Sequence, residues 1–128
     1  MQFLGIHCVS FDFDWCLRVN GGEPNMQMVK LFQFFNRKNV DVILCTSRHY
    51  YMMRPVHEFL NLHGLKTIDV INTDGARKGP FLGGRTQIHF DDCDDELESC
   101  RKYGVRGVNC WNSFLEGKWL EFIHNQQE

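Results

Sequence analysis

The chain has 128 residues, 43% of them hydrophobic and 23% charged, with a formal net charge of -2. That is an ordinary globular balance at the length of one domain, and the small net charge excludes a global pull toward nucleic acid or membrane. No apolar run is long enough to span a bilayer and no signal-peptide pattern opens the sequence, so a single cytoplasmic domain over 1–128 is expected. The six cysteines form no CxxC pair. Cys8, Cys45 and Cys110 lie in apolar strand-like runs, so they read as reduced structural thiols.

Short β-like runs alternate with helical ones, and no repeat or linker divides them. Residues 6–11 predict a first strand, and Gly21, Gly22 and Pro24 a turn. Residues 25–38 predict a helix with Met28, Leu31, Phe32 and Phe35 on one face. The apolar run 40–45 suits a buried parallel strand. Residues 50–63 predict a second helix, with Val56, Phe59, Leu60 and His63 in phase and Gly64 as its stop. A third strand is predicted over 66–71, a Gly-rich loop over 72–84, and a fourth strand over 86–90. Helix 94–103, ended by Gly104, then leads to strand 105–110 and a last helix over 114–124. This alternation predicts an α/β fold with a parallel sheet covered on both faces.

Chemistry gathers at the expected C-terminal ends of the strands, where open α/β sheets bind ligands. The first strand ends in Phe11-Asp12-Phe13-Asp14. Alternation points both carboxylates to one side, where they can share an ion. Two like charges that close repel unless a cation joins them. After the second strand comes Thr46-Ser47-Arg48, at the expected start of a helix, a natural anion site. Before the fourth strand comes Arg77-Lys78-Gly79, and lysine is a compact charge suited to phosphate oxygen. After that strand come Asp91-Asp92, hard oxygen ligands of the kind Mg²⁺ takes. Asp94, Asp95 and Glu96 read as first-turn acids favoured by the helix dipole, with Asp95 the best further ligand among them. His49, His57 and His63 do not share a helical face and read as ordinary surface or core residues. His7 and His89 fall within strands and read as structural. Phe32, Phe34 and Phe35 read as core rather than a stacking platform. This inventory fits phosphoryl transfer.

The motif order resembles that of the haloacid dehalogenase superfamily of phosphohydrolases. In that family an apolar strand ends in DxD, a second ends in Thr or Ser, a lysine follows, and a later strand ends in an acidic pair. The matching stretches are Phe11–Asp14, Leu44–Ser47, Lys78 and Phe90–Asp92, within about residues 6 to 110. The resemblance implies a three-layer Rossmann-like fold with a five-stranded parallel sheet in the order 5-4-1-2-3. It implies that Asp12 is a nucleophile forming an aspartyl-phosphate, and that Asp14 is the general acid and then the base that activates water. Thr46 would bind the transferring phosphoryl group, and Lys78 would neutralise it. Mg²⁺ would be held by Asp12, Asp91 and Asp92 with the main-chain carbonyl of Asp14. Asp14, free of side-chain ligation, is left able to carry a proton.

Lys66 competes for the lysine role, and Lys78 is preferred because Lys66 opens a strand. The family often has Gly and Thr where this chain has Trp15 and Cys16, a departure that bears on turnover and substrate choice. Trp15 would wall the site or stack on a substrate ring, beside Ser47 and Arg48 as substrate-binding residues. Segments 17–25 and 72–85 are too short for a folded cap. An open site suits a phosphate on a nucleic-acid end, a nucleotide or a phosphoprotein, or a small substrate closed off by a partner subunit. Local similarity extends to the 3′-phosphatase domains of polynucleotide kinase-phosphatases and to 5′-deoxyribonucleotidases. The competing expectation is a catalytically weak relative used as a binding or regulatory module. A response-regulator receiver is disfavoured because the third strand ends without an aspartate, and a nucleotide-binding oxidoreductase because no GxGxxG follows the first strand.

Overall fold

The computed structural model describes residues 5–111. The helix expected over 114–124 lies outside the described residues. Strands β1 (Cys8–Phe11), β2 (Asp41–Thr46), β3 (Asp69–Asn72), β4 (Ile88–Asp91) and β5 (Arg106–Asn109) form one parallel sheet in the order β3-β2-β1-β4-β5. Read from its other edge, this is the expected order, and the architecture is a Rossmann-like α/β fold. The connecting helices are α1 (Met26–Arg37), α2 (Arg54–Leu62), α3 (Gly79–Leu82) and α4 (Asp94–Lys102). Among the described residues no helix is long and apolar enough to cross a membrane.

The two faces of the sheet differ, and the pleat explains how one strand serves both. Val9, Phe11, Val42, Leu44, Ile88 and Phe90 join the larger core with Met28, Val29, Leu31, Phe32 and Phe35 of α1. Phe11 lies between Phe32 and Phe90, with ring centroids 4.9 Å from each. Burying one such ring contributes about 1.5–3 kcal/mol, so this stack fixes the central strand firmly. The opposite face is smaller: Cys8, Ile43 and Cys45 meet Leu82 of α3 and Cys100 of α4. Ser10 and His89 alternate onto that face and are fully buried there.

Three departures from the sequence expectation exceed a shift of one or two residues at an element's end. The third strand begins at Asp69 rather than 66, because the Asn36 side chain takes both backbone groups of Lys66, at 3.0 Å each. The helix expected over 50–63 is divided into a 3-10 turn at Tyr50–Met52 and α2. Pro55 causes the division: it suits the first turn of a helix and cannot donate inside one. The Gly-rich loop contains α3, whose glycine lets it press on α4. Gly64 and Gly104 adopt positive φ (62° and 81°) after α2 and α4, as helix stops require.

Gly79 has a closer constraint. A Cβ there would meet the Ser99 carbonyl and hydroxyl oxygens at 2.5 Å. Gly79→Ala is therefore expected to destabilise the fold by about 1–3 kcal/mol, seen as a lower urea midpoint at unchanged slope. An unchanged midpoint would refute the docking of α3 on α4.

Candidate active site

The polar rim is built where β1 and β4 end side by side. The Asp12 amide donates to the Phe90 carbonyl at 2.9 Å, extending the ladder one residue past β1. Asp12 and Asp91 therefore leave adjacent strands on the α3–α4 face. Lys78 stands at the entry to α3, 2% exposed. Its Nζ donates to Asp12 Oδ1 at 2.8 Å and to Asp91 Oδ2 at 2.7 Å. Its backbone amide donates to Glu96 Oε1 at 2.9 Å. Glu96 thus does more than complement a helix dipole: it anchors the lysine's main chain from the first turn of α4. Lys66 is exposed beside Asn36, before β3 begins and away from this rim.

Asp92 completes a cluster with Asp12 and Asp91, one oxygen from each lying within 4.8 Å of the others. Three carboxylates face one ammonium. Burial pushes the Asp12 carboxyl well above its ordinary range, with Asp91 and Asp92 adding to the rise against Lys78. Burial also raises Asp92. Asp91 behaves oppositely: burial opposes its ionisation, but the hydrogen bond from His89 and the charge of Lys78 outweigh it and hold the group below the carboxylate range. The donor set is hard oxygen with negative charge in excess, which fits Mg²⁺. Asp95 does not join it; this residue is exposed and pairs with Arg77 at 3.5 Å.

Asp14 turns elsewhere. Alternation suggested that both aspartates of the DxD pair face one ion, but the chain leaves the strand and curls here. The amides of Cys16, Leu17 and Arg18 all converge on the Phe13 carbonyl, at 3.0–3.3 Å. The Asp14 carboxylate meets Arg48 instead: Nε and Nη2 donate to its two oxygens at 2.8 Å each. Arg48 Nη1 also donates to the Met52 carbonyl at 2.9 Å, and the guanidinium lies 5.3 Å from the Phe13 ring centre. Trp15 follows at φ 63° and 52% exposed, a strained backbone that holds an indole at the rim.

Thr46 is buried, its hydroxyl accepting the Arg48 amide at 3.2 Å. No helix starts at Thr46-Ser47-Arg48, so the anion site expected of a helix N-terminus is absent there; the hydroxyl makes a local turn instead. Ser47 is exposed. The turn after it carries an aromatic group the sequence reading missed. Tyr50 and Tyr51 are 74% and 70% exposed. Tyr51 stacks on His49 at 5.6 Å and meets the edge of Tyr50 at 5.5 Å. His49 is in turn hydrogen-bonded to Asp74. The available signal was four consecutive large side chains, His49-Tyr50-Tyr51-Met52, beside a proline-started helix. His89, expected to be structural within its strand, is fully buried in β4 and meets Asp91.

No protein-family model matches the sequence, and no curated protein matches it. Solved structures share its fold, among them the following two. One, of the Pnkp1/Rnl/Hen1 RNA repair complex, is 17% identical at a TM-score of 0.67, over 85% of this chain and 44% of that one. Another, of the Pnkp1/Rnl/Hen1 complex, is 15% identical at 0.67, over 85% and 47%. The chain thus spans under half the length of each of these two chains.

The charge imbalance has opposite consequences for two substitutions. Lys78→Met strands buried carboxylates and is expected to cost about 3–5 kcal/mol. Asp12→Asn removes one crowded charge and is expected to raise the thermal midpoint in EDTA. Burial and the neighbouring carboxylates make the folded state hold the Asp12 proton more tightly than the unfolded chain, whose carboxyl has the ordinary value of 3.8. Metal-free stability therefore falls as pH rises above that value, and Asp12→Asn lessens the fall. Two losses of stability would refute this charge balance.

Proposed function

We propose that the chain is a Mg²⁺-dependent phosphomonoester hydrolase that works through an aspartyl-phosphate on Asp12. The observation that carries the reading is the buried Lys78 ammonium joining Asp12 and Asp91, with Asp92 beside them, at adjacent strand ends. This matches the haloacid dehalogenase motif order, in which that lysine neutralises both nucleophile and phosphate.

The residues divide the work as follows. An Asp12 carboxylate oxygen attacks phosphorus as the ester P–O bond breaks, and the departing oxygen takes a proton from Asp14. Water then gives a proton to Asp14 and attacks phosphorus, the bond to Asp12 breaks, and inorganic phosphate leaves. Mg²⁺, held by Asp12, Asp91 and Asp92, would lower the charge barrier between phosphate and carboxylate. Lys78 and the Thr46 hydroxyl serve the phosphoryl oxygens, with Ser47 and Arg48 at the outer edge. Arg48 has a second task. A phosphate competes with Asp14 for the guanidinium fork, so substrate arrival frees the carboxylate to take from solvent the proton that it then gives to the departing oxygen.

The substrate class we favour is a nucleic-acid 3′-phosphate or a nucleotide. The open rim with Trp15, Tyr50 and Tyr51 suits bases, which stack on aromatic rings at about 1–3 kcal/mol each. The fold shared with chains of an RNA repair complex favours the same class. A second reading, a phosphate-binding or regulatory module with little turnover, draws support from the grip of Arg48 on both oxygens of Asp14.

Phosphate release should be measured with and without Mg²⁺ for the protein and its Asp12→Asn variant. The substrates are p-nitrophenyl phosphate, 3′- and 5′-nucleotides, a 3′-phosphorylated oligonucleotide and phosphopeptides. Mg²⁺-dependent release is expected, highest on the oligonucleotide or a nucleotide, and at least about 10³-fold lower in the variant. No release from folded, Mg²⁺-bound protein would sink the hydrolase and leave the module.

A further inference from the structure

Ser10, His89 and Asp91 form a buried chain beneath the rim. Ser10 Oγ lies 2.7 Å from His89 Nδ1, and His89 Nε2 lies 2.8 Å from Asp91 Oδ2. Ser10 and His89 are fully buried, on neighbouring strands in matched register. The order of groups is that of a Ser-His-Asp triad, but a serine sealed inside the sheet meets no substrate, so nucleophilic catalysis is excluded for it.

Hydrogen-bond roles fix the tautomer. Ionised Asp91 only accepts, so His89 donates from Nε2; in the neutral ring its Nδ1 accepts, with Ser10 as the donor. Asp91 Oδ2 then receives two donors, His89 and Lys78. Asp91 Oδ1 receives the Cys93 amide at 3.0 Å, which leaves acceptor capacity on that oxygen. Both Asp91 oxygens are oriented before any cation arrives.

We propose that His89 is a positioning residue for the cation site: its Nε2–H, set by Ser10, holds Asp91 so that the carboxylate presents its remaining lone pair to Mg²⁺. The inference rests on the phosphohydrolase reading, since it takes Asp91 as a ligand. Groups that orient a metal-binding carboxylate typically matter 10–100-fold in affinity.

The test is Mg²⁺ affinity by isothermal titration calorimetry, with a thermal midpoint for each variant. His89→Gln keeps an N–H near the Nε2 position; His89→Phe and His89→Met fill the space without one. In both apolar variants Ser10 can turn to the Ile88 carbonyl, 3.4 Å away, so it is not stranded. Phe and Met are expected to weaken Mg²⁺ binding by about 10-fold or more, with Gln within about threefold of the wild type. A purely structural histidine would instead lower the midpoints and leave all affinities equal, which overturns the proposal; Met serves if Phe does not fold. Wild-type protein that binds no Mg²⁺ would overturn the cation site itself, a failure distinct from equal affinities among variants.

Discussion

The rim depends on one buried ammonium. Lys78 ties the end of β1 to the end of β4 through two short bonds to Asp12 and Asp91. Burying a charge is costly unless partners satisfy it, and removing a partner costs more than the pair contributes. The fold therefore spends several features on keeping Lys78 in place. Glu96 accepts its backbone amide, and Gly79 lets α3 lie directly on the Ser99 backbone. The lysine in turn sets the spacing of the two aspartates. Because it neutralises only part of their charge, it leaves a cluster that favours a cation.

The sheet separates stability from chemistry by its pleat. On one face, Phe11, Phe32, Phe35 and Phe90 make a stacked aromatic core that does no chemistry. On the other, the same two strands carry Ser10, Asp12, His89 and Asp91. A polar chain of this kind would be poorly tolerated in a loosely packed interior. Here each member has a partner, and the aromatic face holds the strand positions against which those short distances are set.

Much of this was legible in the sequence because it follows from period and order. Apolar runs ending in Asp12, Thr46 and Asp91 announce strands that lead to a rim, and the sheet order is the one that the family resemblance implied. The sequence preferred Lys78 to Lys66 because Lys66 was expected to open a strand; β3 instead begins at Asp69, and it is the contact of Lys66 with Asn36 that keeps it from the rim, while Lys78 meets Asp12 and Asp91. Contacts between distant segments were not legible. Alternation puts His89 and Asp91 on one face of β4, but nothing local says that Ser10 lies beside His89, because that contact depends on the register of β1 and β4. Nor does the DxD pattern reveal that Asp14 leaves its alternation: the curl around the Phe13 carbonyl and the reach of Arg48, 34 positions away, decide that. The aromatic turn at Tyr50–Met52 was hidden inside a helical period that Pro55 interrupts.

The Arg48–Asp14 pair gives the proposed reaction its order of events. An arginine fork fits a carboxylate and a phosphate equally well, so the two compete for Nε and Nη2. Nη1 stays on the Met52 carbonyl and need not move. The guanidinium thus has a fixed arm and an exchangeable pair, and only an incoming anion can take the pair without leaving Arg48 unsatisfied. Before a phosphate arrives, Asp14 is held and cannot meet a leaving group. On the proposed reading, an arriving phosphate releases Asp14, which takes up a proton from solvent and can then give it to the departing oxygen. The grip that makes the site resemble an inert binding module is also what would keep it idle until substrate is bound.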